Sequence, residues 1–128
     1  MDQAWERAVS HGDVEGVQEM LRAGLDVDAR NRYGQTALMI AAQRGYDAIV
    51  DVLIEAGASL DVTAKYGLSA LMLAIVAGHD GIARKVAGAG ADLGVRGTGA
   101  PGFAGKTASE LAAEREMTAL VRELAGAG

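Results

Sequence analysis

Apolar and small side chains recur along the chain at a fixed interval. Leu38 is followed by Leu71, and 71 − 38 is 33. The same interval relates many other positions, namely Met39 and Met72, Ala41 and Ala74, Ile49 and Ile82, Tyr33 and Tyr66, and two glycine series, Gly12, Gly45 and Gly78, and Gly24, Gly57 and Gly90. So many independent matches at one period indicate tandem copies of one structural unit.

Within each copy, the apolar pattern predicts two short helices. In the second copy Thr36 can cap the first helix, and Gly45 suits the left-handed position that ends it. Asp47 then lies near the start of the second helix, where an acidic group favours the helix dipole. Gly57 ends this helix before an extended link over residues 58–62. The apolar residues are Leu38, Ile40, Ala41 and Ala42 on the first helix and Ile49, Val50, Val52, Leu53 and Ile54 on the second.

The period predicts a single domain over residues 1–128 made of four copies, here called units 1 to 4. Their bounds are about 1–30, 31–63, 64–96 and 97–128. Unit 1 lacks the opening turn of the other units, so we expect it to cap the array. Trp5 takes the position that Leu38 and Leu71 hold in units 2 and 3.

Unit 4 departs from the period. Gly67 and Gly105 are 105 − 67 = 38 residues apart, which predicts a five-residue insert within residues 97–102. Glu116 stands where the other units have glycine between their helices. Unit 4 should therefore keep the helix pair and differ from units 2 and 3 in its opening loop.

The junction of units 3 and 4 is predicted to be the weakest region. The second helix of unit 3 offers less apolar area than that of unit 2, since its matching residues are Ile82, Ala83, Lys85, Val86 and Ala87. Gly81 and Gly88 each add an entropic cost of about 0.5–1 kcal/mol relative to alanine. Fewer buried contacts and a more flexible backbone both favour local opening at this junction.

Two stretches of sequence carry a family resemblance. Residues 34–42 read Gly-Gln-Thr-Ala-Leu-Met-Ile-Ala-Ala, and with Gly45 they resemble the signature of the ankyrin repeat. Residues 57–61 and 90–93 are similar to the family's Gly-Ala-Asp-Val-Asn stretch. The resemblance covers nearly the whole chain and implies an all-α fold, an ankyrin-repeat solenoid of stacked helix-turn-helix units with short hairpin loops.

Two departures from the family pattern bear on packing. The family's proline is Ala37 in unit 2 and Ala70 in unit 3, which removes a residue favoured in the first helical turn. The family's histidine is replaced by Met39 and Met72. The polar link that this histidine provides is absent, so apolar packing between units should replace it.

The resemblance also implies a function. Hairpin tips and first helices would line the concave side of a curved stack, and solenoids of this kind bind partners on such surfaces. We therefore expect a non-catalytic module that binds another protein. An inhibitor or immunity-type protein that masks the active site of a target is the alternative, and both would use the same surface.

Composition narrows the classes of partner. The formal net charge is −5, which argues against nucleic acid and against an anionic membrane, since both need clustered Lys and Arg. The chain has no cysteine, so it forms no disulfide and no thiolate site. Residues 1–7 do not resemble a secretory signal, and no uncharged stretch approaches the roughly 20 residues of a membrane span. We expect a cytoplasmic monomer without a cofactor.

Candidate catalytic and metal sites are weak. Apart from its first position, the stretch over residues 100–107 fits the phosphate-binding loop G-x-x-x-x-G-K-[ST]. That loop needs a preceding strand, and the repeat register already explains Lys106 and Thr107 as the start of unit 4. His11 and His79 belong to different units. The carboxylates fall mainly on the predicted solvent side of the second helices. We therefore expect neither an enzyme nor a metal site.

The predicted partner-binding residues come from hairpin tips and first helices. They are Arg32, Tyr33, Gln35, Gln43, Arg44, Lys65, Tyr66, Leu68, Val76 and Phe103. Tyr33 and Tyr66 can either cover the neighbouring hairpin or contact a partner, since Tyr and Arg are enriched in binding hot spots. Leu68 and Val76 are unusual at exposed positions and can mark an apolar contact patch.

The charge of this surface should differ from that of the whole chain. Arg32, Arg44, Lys65, Lys106 and Arg115 map to it, whereas most acids map to second helices on the opposite side. This predicts a partner with an acidic or mixed surface. The alternative is that the bases merely pair with the hairpin acids Asp26, Asp28, Asp61 and Asp92.

Overall fold

The computed structural model describes residues 1–99 and 102–127, and these residues form eight α-helices. In chain order they are α1 (Gln3–Ser10), α2 (Val14–Arg22), α3 (Ala37–Arg44), α4 (Asp47–Glu55), α5 (Ala70–Val76), α6 (Asp80–Gly88), α7 (Ala108–Glu114) and α8 (Thr118–Ala127). The described part contains no strand; an isolated bridge joins Gly97 to Ala104, and a 3₁₀ turn spans Lys65–Gly67. The prediction of an all-α fold built from helix pairs is confirmed.

Hydroxyl side chains start the first helices of units 2, 3 and 4. The Thr36 hydroxyl accepts a hydrogen bond from the backbone N–H of Met39 at 3.4 Å, and Ser69 caps α5 in the same way. Thr107 caps α7, and the Glu110 carboxylate accepts from the backbone N–H of Thr107 at 3.4 Å, which completes a capping box. These bonds satisfy N–H groups that have no partner inside a helix. The cap expected at Thr36 is confirmed.

Left-handed residues end the first helices. Gly45 has φ 81° and Gly78 has φ 85°, which glycine adopts without a steric penalty. Glu116 occupies the same position in unit 4 with φ 58°, where a side chain costs about 1–2 kcal/mol. The turn between the helices of unit 4 therefore keeps its geometry although the glycine is absent.

The helices form two layers. α1, α3, α5 and α7 pack side by side in one layer, and α2, α4, α6 and α8 follow each other in the second. The core lies between them, and alanines are common in it: Ala37, Ala41, Ala42, Ala70, Ala74, Ala108 and Ala112 are buried. Trp5 is fully buried at the position expected from Leu38 and Leu71. Small side chains let neighbouring helices approach closely.

Aromatic and imidazole rings fill the turn side of the stack between units 1, 2 and 3. A β-carbon added to Gly45 would meet the His79 ring at 2.7 Å, so this ring lies directly against the glycine. Tyr46 covers Gly12 in the same manner, and its hydroxyl donates a hydrogen bond to the Ser10 carbonyl at 3.1 Å. Each ring thus joins its own unit to the preceding one.

The junction of units 3 and 4 lacks such a ring. Met117 holds the position of Tyr46 and His79, directly before α8. No described atom lies within 4 Å of the point where a β-carbon on Gly78 would be. A cleft of about 720 Å³ opens here, between the end of α5 and the start of α8.

The loop that opens unit 4 is hydrogen-bonded to the hairpin of unit 3. The backbone N–H of Thr98 donates to the Tyr66 carbonyl at 2.6 Å, and the N–H of Gly97 donates to the Lys106 carbonyl at 2.9 Å. Residues 100 and 101, within the predicted insert, lie outside the described residues. The described parts of the loop return Phe103 to the hairpin of unit 3, where it contacts Tyr66.

Carboxylates link the outer loops of successive units. Asp28 accepts hydrogen bonds from the backbone N–H and the hydroxyl of Ser59, both at 2.8 Å. One unit further on, Asp61 accepts from the backbone N–H of Asp92 at 2.7 Å. The same contact therefore recurs between units 1 and 2 and between units 2 and 3.

Candidate binding surface

Hairpin turns and first helices form two neighbouring grooves. The apolar groove has a volume of about 260 Å³ and is lined by Gln35, Gln43, Ala64, Lys65, Tyr66, Leu68, Leu73, Val76 and Phe103. The polar groove has a volume of about 230 Å³ and is lined by Glu6, Ser10, Asn31, Tyr33, Gln35, Ile40, Gln43 and Arg44. Gln35 and Gln43 line both, so the grooves adjoin along these two side chains. We call the two grooves together with Arg32 the hairpin face.

The structure brings the sequence-predicted binding residues together. Nine of the ten line one groove or the other, although they come from three units. The exception is Arg32, which is exposed and whose guanidinium lies 5.0 Å from the centroid of the Tyr33 ring. Binding by these residues stays a prediction, but their grouping on one face is a property of the fold.

Three elements build the apolar groove. Leu73 and Val76 lie one helical turn apart on α5 and are half-buried. Tyr66 comes from the hairpin of unit 3, and Phe103 comes from the opening loop of unit 4. The two rings pack with centroids 5.6 Å apart and planes tilted by 38°, a favourable arrangement for an aromatic pair. Apolar walls from separate elements therefore meet around one cavity.

Tyr66 holds an unusual backbone conformation. Its φ of 64° and ψ of 18° are left-handed, which costs on the order of 1–3 kcal/mol for a residue other than glycine. The hydrogen bond from Thr98 to the Tyr66 carbonyl and the ring contact with Phe103 hold this conformation. Such strain clusters at functional sites, which draws attention to this groove.

The two equivalent tyrosines differ because of one upstream residue. In unit 2 the Asn31 side chain accepts hydrogen bonds from the backbone N–H groups of Tyr33 and Gln35, both at 2.9 Å. Unit 3 has Ala64 at that position and lacks these two side-chain bonds, and its hairpin contains the 3₁₀ turn over Lys65–Gly67. Tyr33 stays 63% exposed, whereas Tyr66 is 38% exposed and packs on Phe103. Only one of the two rings therefore covers a neighbouring loop.

Leu68 requires a correction. We expected an exposed side chain, and this is wrong, because Leu68 is only 4% exposed and belongs to the core. It occupies the register position of Gln35, which is polar and partly exposed. Apolar burial favours the inward position for leucine, and Tyr66 and Phe103 line the same groove above the core. Val76 is half-buried, with part of its surface open to the groove.

Some lining residues were missed by sequence reasoning. They are Glu6, Asn31, Ile40, Ala64 and Leu73. A signal existed for two of them, since Ile40 and Leu73 precede Gln43 and Val76 by three residues and share their helix face. The sequence alone assigns both residues to the core, because they are apolar and lie 73 − 40 = 33 residues apart, which is one full period.

Three cations on the hairpin face differ from Arg84 and Lys85 of α6 in their partners. Within the described residues, no carboxylate lies within 4.0 Å of Arg32, Arg44 or Lys65. Arg44 instead donates to the Ser10 carbonyl at 3.3 Å, and the Lys65 ammonium lies 4.9 Å from the centroid of its neighbouring Tyr66 ring. These three charges are therefore available to an acidic partner.

Lys106 does not join them. Its ammonium pairs with Glu114 at 2.6 Å, so the expectation that it adds to the charge of the hairpin face is wrong. The pairing arises because both residues belong to unit 4, one just before α7 and one at its end. Arg115 donates a hydrogen bond to the Leu111 carbonyl at 3.1 Å.

The hairpin acids bind backbone rather than bases. Asp28 and Asp61 accept from the loops of the next unit, as described above, and the other two act locally. Asp26 accepts from the backbone N–H of Asp28 at 3.0 Å, and Asp92 accepts from that of Gly94 at 2.8 Å. The alternative in which these acids neutralise the basic side chains of the hairpin face is therefore wrong for the described residues.

The two bases of α6, Arg84 and Lys85, are each paired with two carboxylates. Lys85 lies 3.1 Å from both Asp47 and Asp51 of the preceding unit. Its hydrogen bonds to Asp47 and then to Asp51 raise the pKa of Lys85 above its ordinary value. Arg84 pairs with Glu123 at 2.6 Å and with Asp80 at 3.3 Å, and the hydrogen bond to Glu123 is the main cause of its raised pKa. These pairs stabilise contacts between units and leave no free charge for a partner.

The motif over residues 100–107 has a structural explanation where it is described. Thr107 caps α7, and Lys106 is held by Glu114. A single bridge at Gly97 and Ala104 stands where a phosphate-binding loop requires a strand. Residues 100 and 101 of the motif lie outside the described residues.

Among residues 1–99 and 102–127, no cluster of three His, Asp or Glu side chains is arranged to hold a metal ion. Within the same part of the chain, the helices are too short and too polar for any of them to cross a membrane.

Comparison with known proteins agrees with the repeat pattern. The family model of ankyrin repeats, in three copies, matches residues 5–97. An ankyrin repeat protein of Rickettsia felis is 40% identical over 52 residues, which are 41% of this chain and 82% of that protein. The ankyrin repeat, SAM and basic leucine zipper domain-containing protein 1 of Neofelis nebulosa is 42% identical over 52 residues, 41% of this chain and 11% of that protein. The mitochondrial disaggregase of Bos taurus is 46% identical over 52 residues, 41% of this chain and 8% of that protein.

The last two proteins share only a small part of their length with this chain, so the likeness concerns the repeats and not their other domains. The family match ends at residue 97, where the opening loop of unit 4 begins. Period, capped helix pairs, left-handed glycines and the match over residues 5–97 agree with one another, and the chain belongs to the ankyrin-repeat family.

Proposed function

We propose that this protein binds another protein, without catalysis, through the hairpin face. The main support is that nine of the ten sequence-predicted residues line two adjoining grooves. Ankyrin repeats are generally protein-binding modules, which supports the proposal at the level of the family. Extended surfaces of repeat proteins suit partners that are larger than a single small molecule.

Each class of side chain on the hairpin face has a distinct role in recognition. The exposed Tyr33 ring and the Arg32 guanidinium offer a large contact area of the kind found in hot spots. Gln35 and Gln43 supply amide groups that can orient a partner backbone along both grooves. The cations Arg44 and Lys65 favour an acidic or mixed partner surface and mainly raise the association rate.

An inhibitor or immunity-type role is the alternative, and it uses the same face. The two roles differ in what happens to the partner, because an inhibitor abolishes its target's activity at one-to-one binding. An assay of the captured partner's activity, with and without this chain, separates them.

Affinity capture with a matched control tests the hairpin face. The variant Arg44→Glu with Lys65→Glu reverses two charges on the face, and Arg22→Glu with Arg122→Glu makes the same change on α2 and α8. Proteins retained by the native chain and by the control, but lost with the first variant, are partners of the hairpin face. Equal retention of every protein by both variants contradicts the proposal.

A further inference from the structure

The apolar groove has the shape and chemistry of a pocket for one side chain. We infer that it holds a large apolar side chain of the partner, such as Phe, Leu or Met, whose neighbouring residues are acidic. The inference rests on the proposed function, because it specifies what the hairpin face recognises. Of the nine residues that line the groove, Phe103 comes from the opening loop of unit 4, beyond residues 5–97 that match the family model, and the other eight lie within that match.

The size of the groove favours a side chain over a free small molecule. Its volume is about 260 Å³, below the roughly 300–1,000 Å³ of typical small-molecule sites. One buried anchor residue in a pocket is also the common arrangement at protein interfaces. A Phe or Leu side chain, carried on a peptide backbone, is small enough to enter this space.

The walls of the groove are already built for an apolar guest. Leu73 and Val76 line it from α5, and the packed rings of Tyr66 and Phe103 line it from the hairpin of unit 3 and the opening loop of unit 4. All four side chains are partly exposed, so each presents apolar surface that a guest would remove from water. An aromatic guest would add a further ring to the existing pair.

The charged residues of the two grooves determine which residues can flank the anchor side chain of the partner. Lys65 lines the groove with its ammonium 4.9 Å from the centroid of the Tyr66 ring, and none of the described lining residues is a carboxylate. Beyond Gln35 and Gln43, the polar groove continues to Arg44 and also includes Glu6. Neither Lys65 nor Arg44 has a carboxylate partner within the described residues, unlike Arg84 and Lys85 on the second helices. Acidic residues on both sides of the anchor would meet these cations, whereas basic ones would be repelled.

Synthetic peptides can test the inference before any partner is known. The probes are acetylated, amidated heptapeptides of sequence Gly-Glu-Asp-Phe-Asp-Glu-Gly, the same peptide with a central Ala, and Gly-Lys-Lys-Phe-Lys-Lys-Gly. Binding is measured by NMR titration of the ¹⁵N-labelled chain. We expect the acidic Phe peptide to bind at least about tenfold more tightly than either of the others, as a lost anchor contact predicts. The largest shifts should fall on Lys65, Tyr66, Leu73, Val76 and Phe103.

Two neighbouring substitutions give a matched pair. Val76→Asp places a charge in the apolar groove, and Ala77→Asp places the same charge one residue away, at an exposed position outside that groove. We expect Val76→Asp to weaken binding of the acidic Phe peptide at least about tenfold and Ala77→Asp to change it less than about twofold. Circular dichroism checks that both variants are folded, and Phe103→Ala provides a second removal of a pocket wall.

Each outcome decides one part of the inference. Equal affinity for the Phe and Ala peptides, or no binding of any probe, overturns the anchor pocket. Equal affinity for acidic and basic peptides overturns the acidic flanks, and self-association lost in Val76→Asp assigns the groove to a second copy of this chain instead. A partner captured through Arg44 and Lys65 but indifferent to Val76→Asp would leave the proposed function standing while the inference fails.

Discussion

The two junctions on either side of unit 3 are built differently. Between units 2 and 3, His79 lies against Gly45, and the outer layer contributes the buried residues Ile49, Val50 and Leu53. Between units 3 and 4, no described side chain covers Gly78, and a cleft of about 720 Å³ remains. α6 buries only Ile82, Ala83 and Val86. The junction of units 2 and 3 is thus filled by side chains next to Gly45, whereas the junction of units 3 and 4 contains an open cleft next to Gly78.

Polar contacts cross both junctions, and Lys85 pairs with Asp47 and Asp51 across the first. Arg84 of α6 reaches Glu123 of α8 at 2.6 Å, and Thr98 hydrogen-bonds to Tyr66 across the opening loop. Exposed ion pairs contribute only about 0–1 kcal/mol each, whereas a buried large apolar side chain contributes about 1.5–3 kcal/mol. Helix pairs of the same architecture are therefore not joined with equal strength. The apolar side chains that fill the space between units set that strength.

The largest expected effect is the loss of a buried leucine from the well-filled part of the stack. Leu38→Ala and Leu71→Ala should each lower the free energy of unfolding by about 2–5 kcal/mol. Leu120 is equally buried, at 1% exposed, but it lines the cleft. Because α8 can shift into that space, Leu120→Ala should cost less, about 2 kcal/mol. Urea denaturation measures all three, and a loss below about 0.5 kcal/mol for both Leu38→Ala and Leu71→Ala would contradict the stacked core.

Hydrogen exchange should reveal the weaker junction directly. We expect amides of α6 and α7 to exchange at least about tenfold faster than those of α3, since local opening needs less free energy where fewer apolar contacts break. Mass spectrometry or NMR at constant pH resolves these helices. If the slowest amides lay between Gly81 and Gly99, the comparison of the two junctions would be reversed.

Exchanging the residues that precede α4 and α8 should transfer stability between junctions. Tyr46→Met removes the ring over Gly12 and the hydrogen bond to Ser10, so we expect a loss of about 1–2 kcal/mol. Met117→Tyr places a ring beside Gly78 and should add about 0.5–1.5 kcal/mol. Thermal and urea unfolding give both values. A destabilised Met117→Tyr variant would show that the cleft does not accept the ring.

The smallest effect concerns Lys85 and pH. Its folded-state pKa lies above the ordinary value of 10.5, so its ion pairs contribute fully below that pH and are lost as pH rises through the folded-state pKa. Its side chain is 37% exposed, so the contribution should be about 0.5 kcal/mol at most. The stability difference between the native chain and Lys85→Gln should therefore fall as pH rises above about 10.5. A difference that grows in that range would exclude the pairing.

Much of the fold could be predicted from local residue preferences at the ends of the helices. Thr36 caps a helix because its hydroxyl competes well for a free N–H, and Gly45 ends it because left-handed backbone suits glycine. Even Glu116 could be placed, because the period located the turn although the glycine was absent. The grouping of eight of the nine predicted binding residues, all except Phe103, followed from the period as well, since each position recurs on the same side of the stack.

The remainder depends on contacts across the insert, where the period gives no register. Phe103 packs on Tyr66 because the loop of unit 4 folds back to the hairpin of unit 3, and no spacing rule predicts that return. The burial of Leu68 could not be read from its repeat position, because Gln35 in the same position is partly exposed. Tertiary packing decided both residues.

The carboxylate contacts between outer loops have a consequence for how such a chain can change in length. Asp28 reaches Ser59 and Asp61 reaches Asp92, each across 31 residues and therefore within the span of one repeat. Duplicating residues 31–63 in tandem would regenerate the donor, the acceptor and the spacing at every new boundary. An insertion of a few residues between Asp61 and Asp92 would instead displace the donor from its acceptor. Adding whole units therefore preserves these carboxylate contacts, whereas adding part of a unit disrupts them.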